Sequence, residues 1–521
     1  MAKFTKLSGV AAFLTFAATL ASCGGHKSIA YEVNLATDIS GAKITMWTSF
    51  GSEMEAITES LIEEWSEKTG VNVVIEQKSG YDNLKSAVIE SATSVTYPHI
   101  TFGYPDHFAS YVNSDILVRL DYYFENGATT KFDYAPAGDE FKTTDFYADY
   151  MRENQTIEYD ESGKGYTLGV PFNKSTECLT YNSTFFDWAK TKDAAIVVPE
   201  TWAQFETVSQ KILDLLGSLD VYGHCIGVDG NVYTDNSAAT KATGKDALLD
   251  FKTVQDPTNP KSNKTSMFRV LGRDSTSNFF INTIRQWGGT YTIADKATRK
   301  GYIKFDSPEA KAGLSKMQEY YNKAYLGIAP SWGEAKYCSN PFTALGCVMT
   351  IGSSAGADSN APKGDKFAIS SAPIFYKDAD KKYVISQGTN LCLLDTGTEK
   401  ERVAAWELLK YLSKYNNGEF AAESGYFPAC PYAYNSEEYQ EFLTARAVST
   451  VDKINLAAAK VNSEIYINEA LGWDKFVDQP FDGSSTIRSK VGDLMTSFLI
   501  DGKTADQIVA DGYSQLSDYV Q

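Results

Sequence analysis

Gly352-Ser353-Ser354-Ala355-Gly356 fits the G-x-S-x-G pattern, in which a serine on a sharp strand-to-helix turn attacks an acyl carbon. Cys347 to Ile351 read as the strand before that turn. Two features weigh against acyl transfer. The stretch that should open a helix holds Asp358, Asn360, Pro362, Lys363 and Gly364, which is loop chemistry. The catalytic histidine of that arrangement follows its serine, whereas all four histidines, at 26, 99, 107 and 224, precede Ser354. What remains is a turn carrying two hydroxyls, Ser353 and Ser354, with backbone N–H groups suited to an anion or a polyol.

Other reactive patterns are weaker. Tyr159 to Tyr166 starts like a calcium loop, but Lys164 takes a liganding position and Pro171 stands where the closing glutamate is needed. Cys178, Cys225, Cys338, Cys347, Cys392 and Cys430 scatter without C-x-x-C spacing, which opposes zinc and leaves disulfide pairing and free buried thiols both open. There is no H-E-x-x-H, P-loop or dinucleotide glycine fingerprint, so neither metal nor cofactor is expected. A net charge of −18 argues against nucleic acid and against peripheral binding to anionic lipid. The 32 Tyr, 28 Phe and 8 Trp are stock enough for stacking surfaces as well as cores.

The ends of the chain place it. Lys3 and Lys6 precede an apolar run from Val10 to Leu20, too short to span a bilayer as a helix and followed directly by Leu20-Ala21-Ser22-Cys23. That quartet resembles the lipobox of bacterial lipoproteins. The resemblance implies a signal peptide over 1–22 and an acylated Cys23 on the outer face of a membrane or in the periplasm. Gly24 to Gly41 is small and polar and reads as a flexible tether over 23–41, reaching some 20–25 Å.

The elements that must position these residues alternate. Ile44 to Trp47 reads as a strand, Ile57, Leu61, Ile62 and Trp65 as one face of a helix, and Val71 to Ile75 as a second strand parallel to the first. Leu84, Ala87, Val88 and Ala92 followed by Ile100-Thr101-Phe102 repeat the unit, which indicates an α/β lobe. The polar stretch from Asp229 to Ser277 reads as a surface insertion. A mature body of this length exceeds what one core serves, so two lobes are expected.

The ordered set Gly169 to Thr176, Leu179 to Asn182, Pro199 to Trp202, Phe305 to Ala310 and Ala404 to Leu412 resembles the family 1 extracellular solute-binding proteins of ABC importers. The resemblance implies a two-lobed periplasmic-binding-protein-like α/β fold with a hinge crossed several times and a ligand cleft between the lobes. It also implies a monomeric, non-catalytic receptor partnered by a permease. The lobes are expected at 42–167 with 385–428, and at 168–384 with 429–521. The crossings are expected near Gly165 to Val170, Tyr376 to Ser386 and Tyr426 to Pro431.

Within the family the chain is most similar to receptors for glycerol 3-phosphate and its diesters. That likeness assigns ligand contact to Tyr81, Ser175, Ser353 with Ser354, Gly388, Tyr426 and Arg488. Arg488 follows Asp482 to Ser485 in the first turn of a helical pattern, where a guanidinium beside free N–H groups suits phosphate or carboxylate; an ion pair that closes the lobes is the alternative. The branch's acidic cleft residue has Asp106 as its nearest counterpart, and its tryptophan-rich stretch has none. A neutral sugar stacked on Tyr or Trp is therefore the competing ligand, and a hydrolase or a surface adhesin the competing class.

Overall fold

The computed structural model describes residues 26–259, 264–445 and 449–520, so Cys23 and the signal segment lie outside the described residues. The chain opens on the anticipated βαβ unit. Strands β1 (Lys43–Thr48) and β2 (Asn72–Gln77) pair in parallel from Lys43↔Asn72 to Thr48↔Gln77, joined by α1 (Ser52–Thr69). Thr58, Leu61, Ile62, Trp65 and Thr69, at positions i, i+3, i+4, i+7 and i+11, are the buried stripe of α1. Helix α2 (Tyr81–Ser91) leads to β3 (Ile100–Gly103), parallel to the other side of β1, and α3 (Pro105–Asn113) follows at once.

The longest strand, β4 (Val170–Asn182), leaves this unit for a second one. There β5 (Leu271–Arg273), α4 (Thr276–Gln286), β6 (Leu326–Ile328), β7 (Met349–Ser353) and β8 (Ile369–Pro373) assemble. Strand β9 (Lys382–Leu393) returns antiparallel to β4, and α5 (Thr450–Tyr466), β10 (Trp473–Phe476) and α6 (Ser484–Ile500) follow. The sheet order is β6-β5-β7-β4-β9-β3-β1-β2, with β8 beside β4 and β10 beside β9. One sheet therefore runs through both halves of the molecule.

Two hydrophobic cores lie along that sheet. Val170, Phe172, Leu391 and Leu393 belong to the first, with Trp65, Phe102 and Trp406; Cys178, Leu179, Val384 and Ile385 belong to the second, with Phe280, Leu326 and Phe498. Between them β4 and β9 carry buried polar residues, Asn173 to Glu177 on one strand and Ser386, Thr389 and Asn390 on the other. The change of core on β4 thus falls several residues beyond Gly165 to Val170, because Leu168, Val170 and Phe172 still pack in the first lobe. A third segment joins the crossing where the Phe427 N–H donates to the Lys174 carbonyl at 2.8 Å.

Two expectations are corrected. The stretch read as a free tether is docked from residue 26 onward: Ile29 bridges to Val118, Ser28 is bonded to Glu158, and Val33 and Ile39 are buried in the first core. Those few apolar side chains suffice to hold it down. The polar insertion is also shorter than 229–277, since Phe251, Val254, Phe268 and Val270 enter the second core and 271–273 is strand β5. Within it Val232–Tyr233 and Leu249–Asp250 pair on either side of the buried Cys225–Ile226 just before it, forming a small three-stranded sheet. The six described cysteines are all buried and unpaired.

Candidate ligand-binding cleft

The strand crossing forms the floor of a cleft of about 740 Å³ between the lobes. Its first-lobe wall is aromatic. Tyr81 opens α2 and meets Tyr104 edge-on, ring centroids 5.3 Å apart. Tyr426 stacks on Phe420 at 5.9 Å and brings its hydroxyl to 3.4 Å from that of Tyr81, which also accepts from Asn173 Nδ2 at 3.3 Å. Burial pushes the hydroxyls of Tyr81, Tyr104 and Tyr426 up, so all three remain protonated and able to donate at neutral pH.

The floor and far wall are hydroxyl and carboxylate. Ser353, at the end of β7, donates to Ser175 on β4 at 3.3 Å and accepts from the Ala355 N–H at 3.3 Å. Glu177, also on β4, accepts from Asn278 Nδ2 at 3.2 Å, from Asn282 and from Arg273 at 3.2 Å. Asp274, after β5, accepts from the Cys338 N–H at 2.7 Å, and burial pushes its carboxyl up to about 6. A Cβ on Gly352 would stand 2.3 Å from Asp274 Oδ2, so a glycine there is what lets this carboxylate reach the cleft. Gln387 presents a buried Oε1 with no protein partner.

Tyr81, Ser175, Ser353, Gly388 and Tyr426 thus line one cleft. The remaining three assigned residues lie elsewhere. Ser354 is fully buried behind the turn; its hydroxyl is held by Asn462 and by the Thr176 N–H at 3.2 Å, and the segment after it is a 3₁₀ turn rather than an α-helix. It is placed neither as a ligand contact nor as a nucleophile with a histidine beside it. Arg488 lies one turn further into α6 than expected, because the helix already begins at Ser484, and its guanidinium donates to Asn278 Oδ1 and lines a neighbouring cavity of about 40 Å³ together with Asp106. Among the described residues no carboxylate is ion-paired with it.

Sequence reasoning missed Tyr104, Glu177, Asp274, Gln387 and Tyr337. Glu177 carried a signal, a lone charge inside the otherwise uncharged run Ser175 to Asn182. Tyr337 is 55% exposed at the mouth of the cleft, beside Lys336, the one lysine or arginine among the described lining residues.

No curated protein matches the chain. Several solved structures share the fold. The UgpB of Mycobacterium tuberculosis in complex with glycerophosphocholine superposes with a TM-score of 0.62 at 15% identity, covering 92% of this chain and 98% of that one. The sugar-binding protein MalE of Xanthomonas citri gives 0.61 at 13% identity over 92% and 97%. The GacH receptor of Streptomyces glaucescens, solved unliganded and with acarbose, gives 0.59 at 14% identity over 92% and 98%. Residues 60–445, most of the chain, match the bacterial extracellular solute-binding proteins, and the chain belongs to that family.

Proposed function

We propose that the protein is the lipid-anchored receptor of an ABC importer and that it captures a neutral polyhydroxylated solute, a mono- or oligosaccharide, in the interlobe cleft. The observation that supports the ligand class is the charge of the lining. Glu177, Asp274 and Asp493 face the space, while Arg488, the residue that would neutralise a phosphate, is engaged outside it. Carboxylates and hydroxyls accept and donate to sugar hydroxyls, and the Tyr81, Tyr104 and Tyr426 rings offer apolar faces to a pyranose. A volume of about 740 Å³ suits several sugar rings better than a three-carbon phosphate.

A glycerophosphate or its diester is the second reading, favoured by Lys336 at the mouth and by the paired hydroxyls of Ser175 and Ser353. Thermal unfolding in a panel of neutral saccharides, glycerol 3-phosphate and glycerophosphodiesters separates the two. Ligand at 100 times its dissociation constant adds about 2.7 kcal/mol, and that response is expected from a saccharide. A response confined to the phosphorylated compounds would reverse the assignment.

Anchoring rests on Cys23 and its preceding segment; no helix among the described residues is long and apolar enough to cross a membrane. Because docking onto the first lobe begins at residue 26, three residues past Cys23, the body stands within about 11 Å of the lipid rather than at the end of a long tether. Cys23→Ser is expected to move the protein from the membrane fraction to the soluble one; retention in the membrane would refute the anchor.

A further inference from the structure

Beside the solute cleft the lobes meet a second time. Helix α3 of the first lobe and α6 of the second bring their N-terminal ends together, and Lys85 on α2 donates to Ser485 Oγ across the junction at 2.8 Å. The small cavity there is lined by Tyr104 and Asp106 from the first lobe and by Asp478, Ser484 and Arg488 from the second. Asp106 Oδ1 and Asp478 Oδ2 are both buried, and neither has a hydrogen-bond partner. A buried carboxylate oxygen without a donor is costly, and the cost ends when the carboxyl is protonated or the site is opened to water.

We propose that Asp478 and Asp106 form a proton-operated latch on lobe closure: as the lobes close, Asp478 takes up a proton from solvent, so acidification favours the closed receptor. The inference rests on the two-lobed fold and not on the identity of the solute. Burial pushes the Asp478 carboxyl up to about 6, with Asp106 adding to the rise and Arg488 and Arg285 opposing it. Parting the lobes hydrates the cavity and returns the group to the usual aspartate range near about 4.

A carboxyl whose value is raised in the closed form binds more protons there than in the open form between about pH 4 and about pH 6. Closure is therefore favoured at the acid side and weakened as pH rises through that window. Between pH 7.5 and pH 5 the closure equilibrium constant should gain about tenfold.

Asp478 faces Arg488 on α6, Arg285 on α4, Tyr291, and Asp106 on α3; burial keeps the Tyr291 hydroxyl protonated throughout. Asp106 faces Tyr104, Arg488 and His107, whose Nε2 lies 3.9 Å from it and 4.0 Å from Asp82 on α2, with Lys85 nearby. Burial pushes the His107 imidazole down. Were His107 in control, acid would charge a buried ring and open the lobes, the opposite sign.

Small-angle scattering of the solute-free protein from pH 8 to pH 5 at fixed ionic strength tests the latch. The wild type should become more compact with a midpoint near about pH 6. Asp478→Asn, which carries a permanently neutral side chain, should be as compact at pH 7.5 as the wild type at pH 5 and should not respond to pH. Asp106→Asn should keep the response but move its midpoint to lower pH, because the neighbouring charge that raises Asp478 is gone; this variant decides the matter even if Asp478→Asn folds poorly. A wild-type radius that is flat or grows on acidification, or a midpoint untouched by Asp106→Asn, would overturn the proposal.

Discussion

Gly388→Ala is expected to lower the unfolding free energy by about 3 kcal/mol or more, read as the urea midpoint at constant slope. Gly388 has φ +88°, a conformation that strains any L side chain, and a Cβ there would stand 1.8 Å from the Asn173 carbonyl oxygen. That contact is backbone against backbone at the point where β4 and β9 change lobes and their register shifts, between Gly388 and Asn390. Neither strand can retreat without pulling residues out of one of the two cores. Gly51→Ala is the matched control: it precedes α1, has φ −73°, and its added methyl meets nothing within 4 Å. Because Gly51 is the N-cap of α1, where alanine caps less well than glycine, the change should cost at most about 1 kcal/mol. A Gly388→Ala protein as stable as this control would remove the case for a tight hinge.

The second large effect concerns the ion pair buried at the same crossing. Lys174 Nζ has no exposure; it is bonded to Glu153, to the Gly388 carbonyl at 3.1 Å and to Asn390 Oδ1 at 3.4 Å, while Asn390 Nδ2 donates to Glu153 Oε1 at 2.7 Å. Burial pushes the Lys174 ammonium down, and Glu153 is what opposes that loss of charge. Removing one partner strands the other. Lys174→Met should cost about 3–5 kcal/mol, because Glu153 stays buried without its counter-charge. Adding Glu153→Gln to Lys174→Met should recover much of the loss, and a double-mutant cycle by urea unfolding measures how much. Strictly additive losses would mean that the two residues do not act as a pair.

The parts of the molecule that follow from local pattern were legible in the sequence. The βαβ unit at Ile44 to Ile75 follows from the spacing of Leu61, Ile62 and Trp65 and the β-branched run after them, and the strand pairing is the parallel one anticipated. The helix that carries Arg488 follows from the capping stretch Asp482 to Ser485, although it begins at Ser484 and so holds Arg488 in its second turn rather than its first. What failed depended on three-dimensional neighbours. Ser353 and Ser354 are equivalent in sequence, yet Ser353 ends strand β7 and faces Ser175 in the cleft, whereas Ser354 opens the 3₁₀ turn and points back to Asn462.

The contact of Arg488 with Asn278, 210 residues away in the chain, is likewise one that no local pattern announces. The tether failed for a related reason. Its composition is polar, but Val33 and Ile39 find places in a core that no local pattern announces. Glu177 and Asp274, which set the charge of the cleft, come together only when β4 and β5 are brought into one sheet by β7.

Calorimetric titration of the neutral saccharide panel into wild-type protein and into the Tyr81→Ala/Tyr426→Ala variant tests capture in the aromatic-walled cleft most directly. At least one saccharide should bind the wild type, and its affinity should fall by about 100-fold or more when both rings are removed from a protein that still unfolds cooperatively. Binding confined to glycerol 3-phosphate or its diesters, or saccharide binding that survives the loss of both rings, would contradict it.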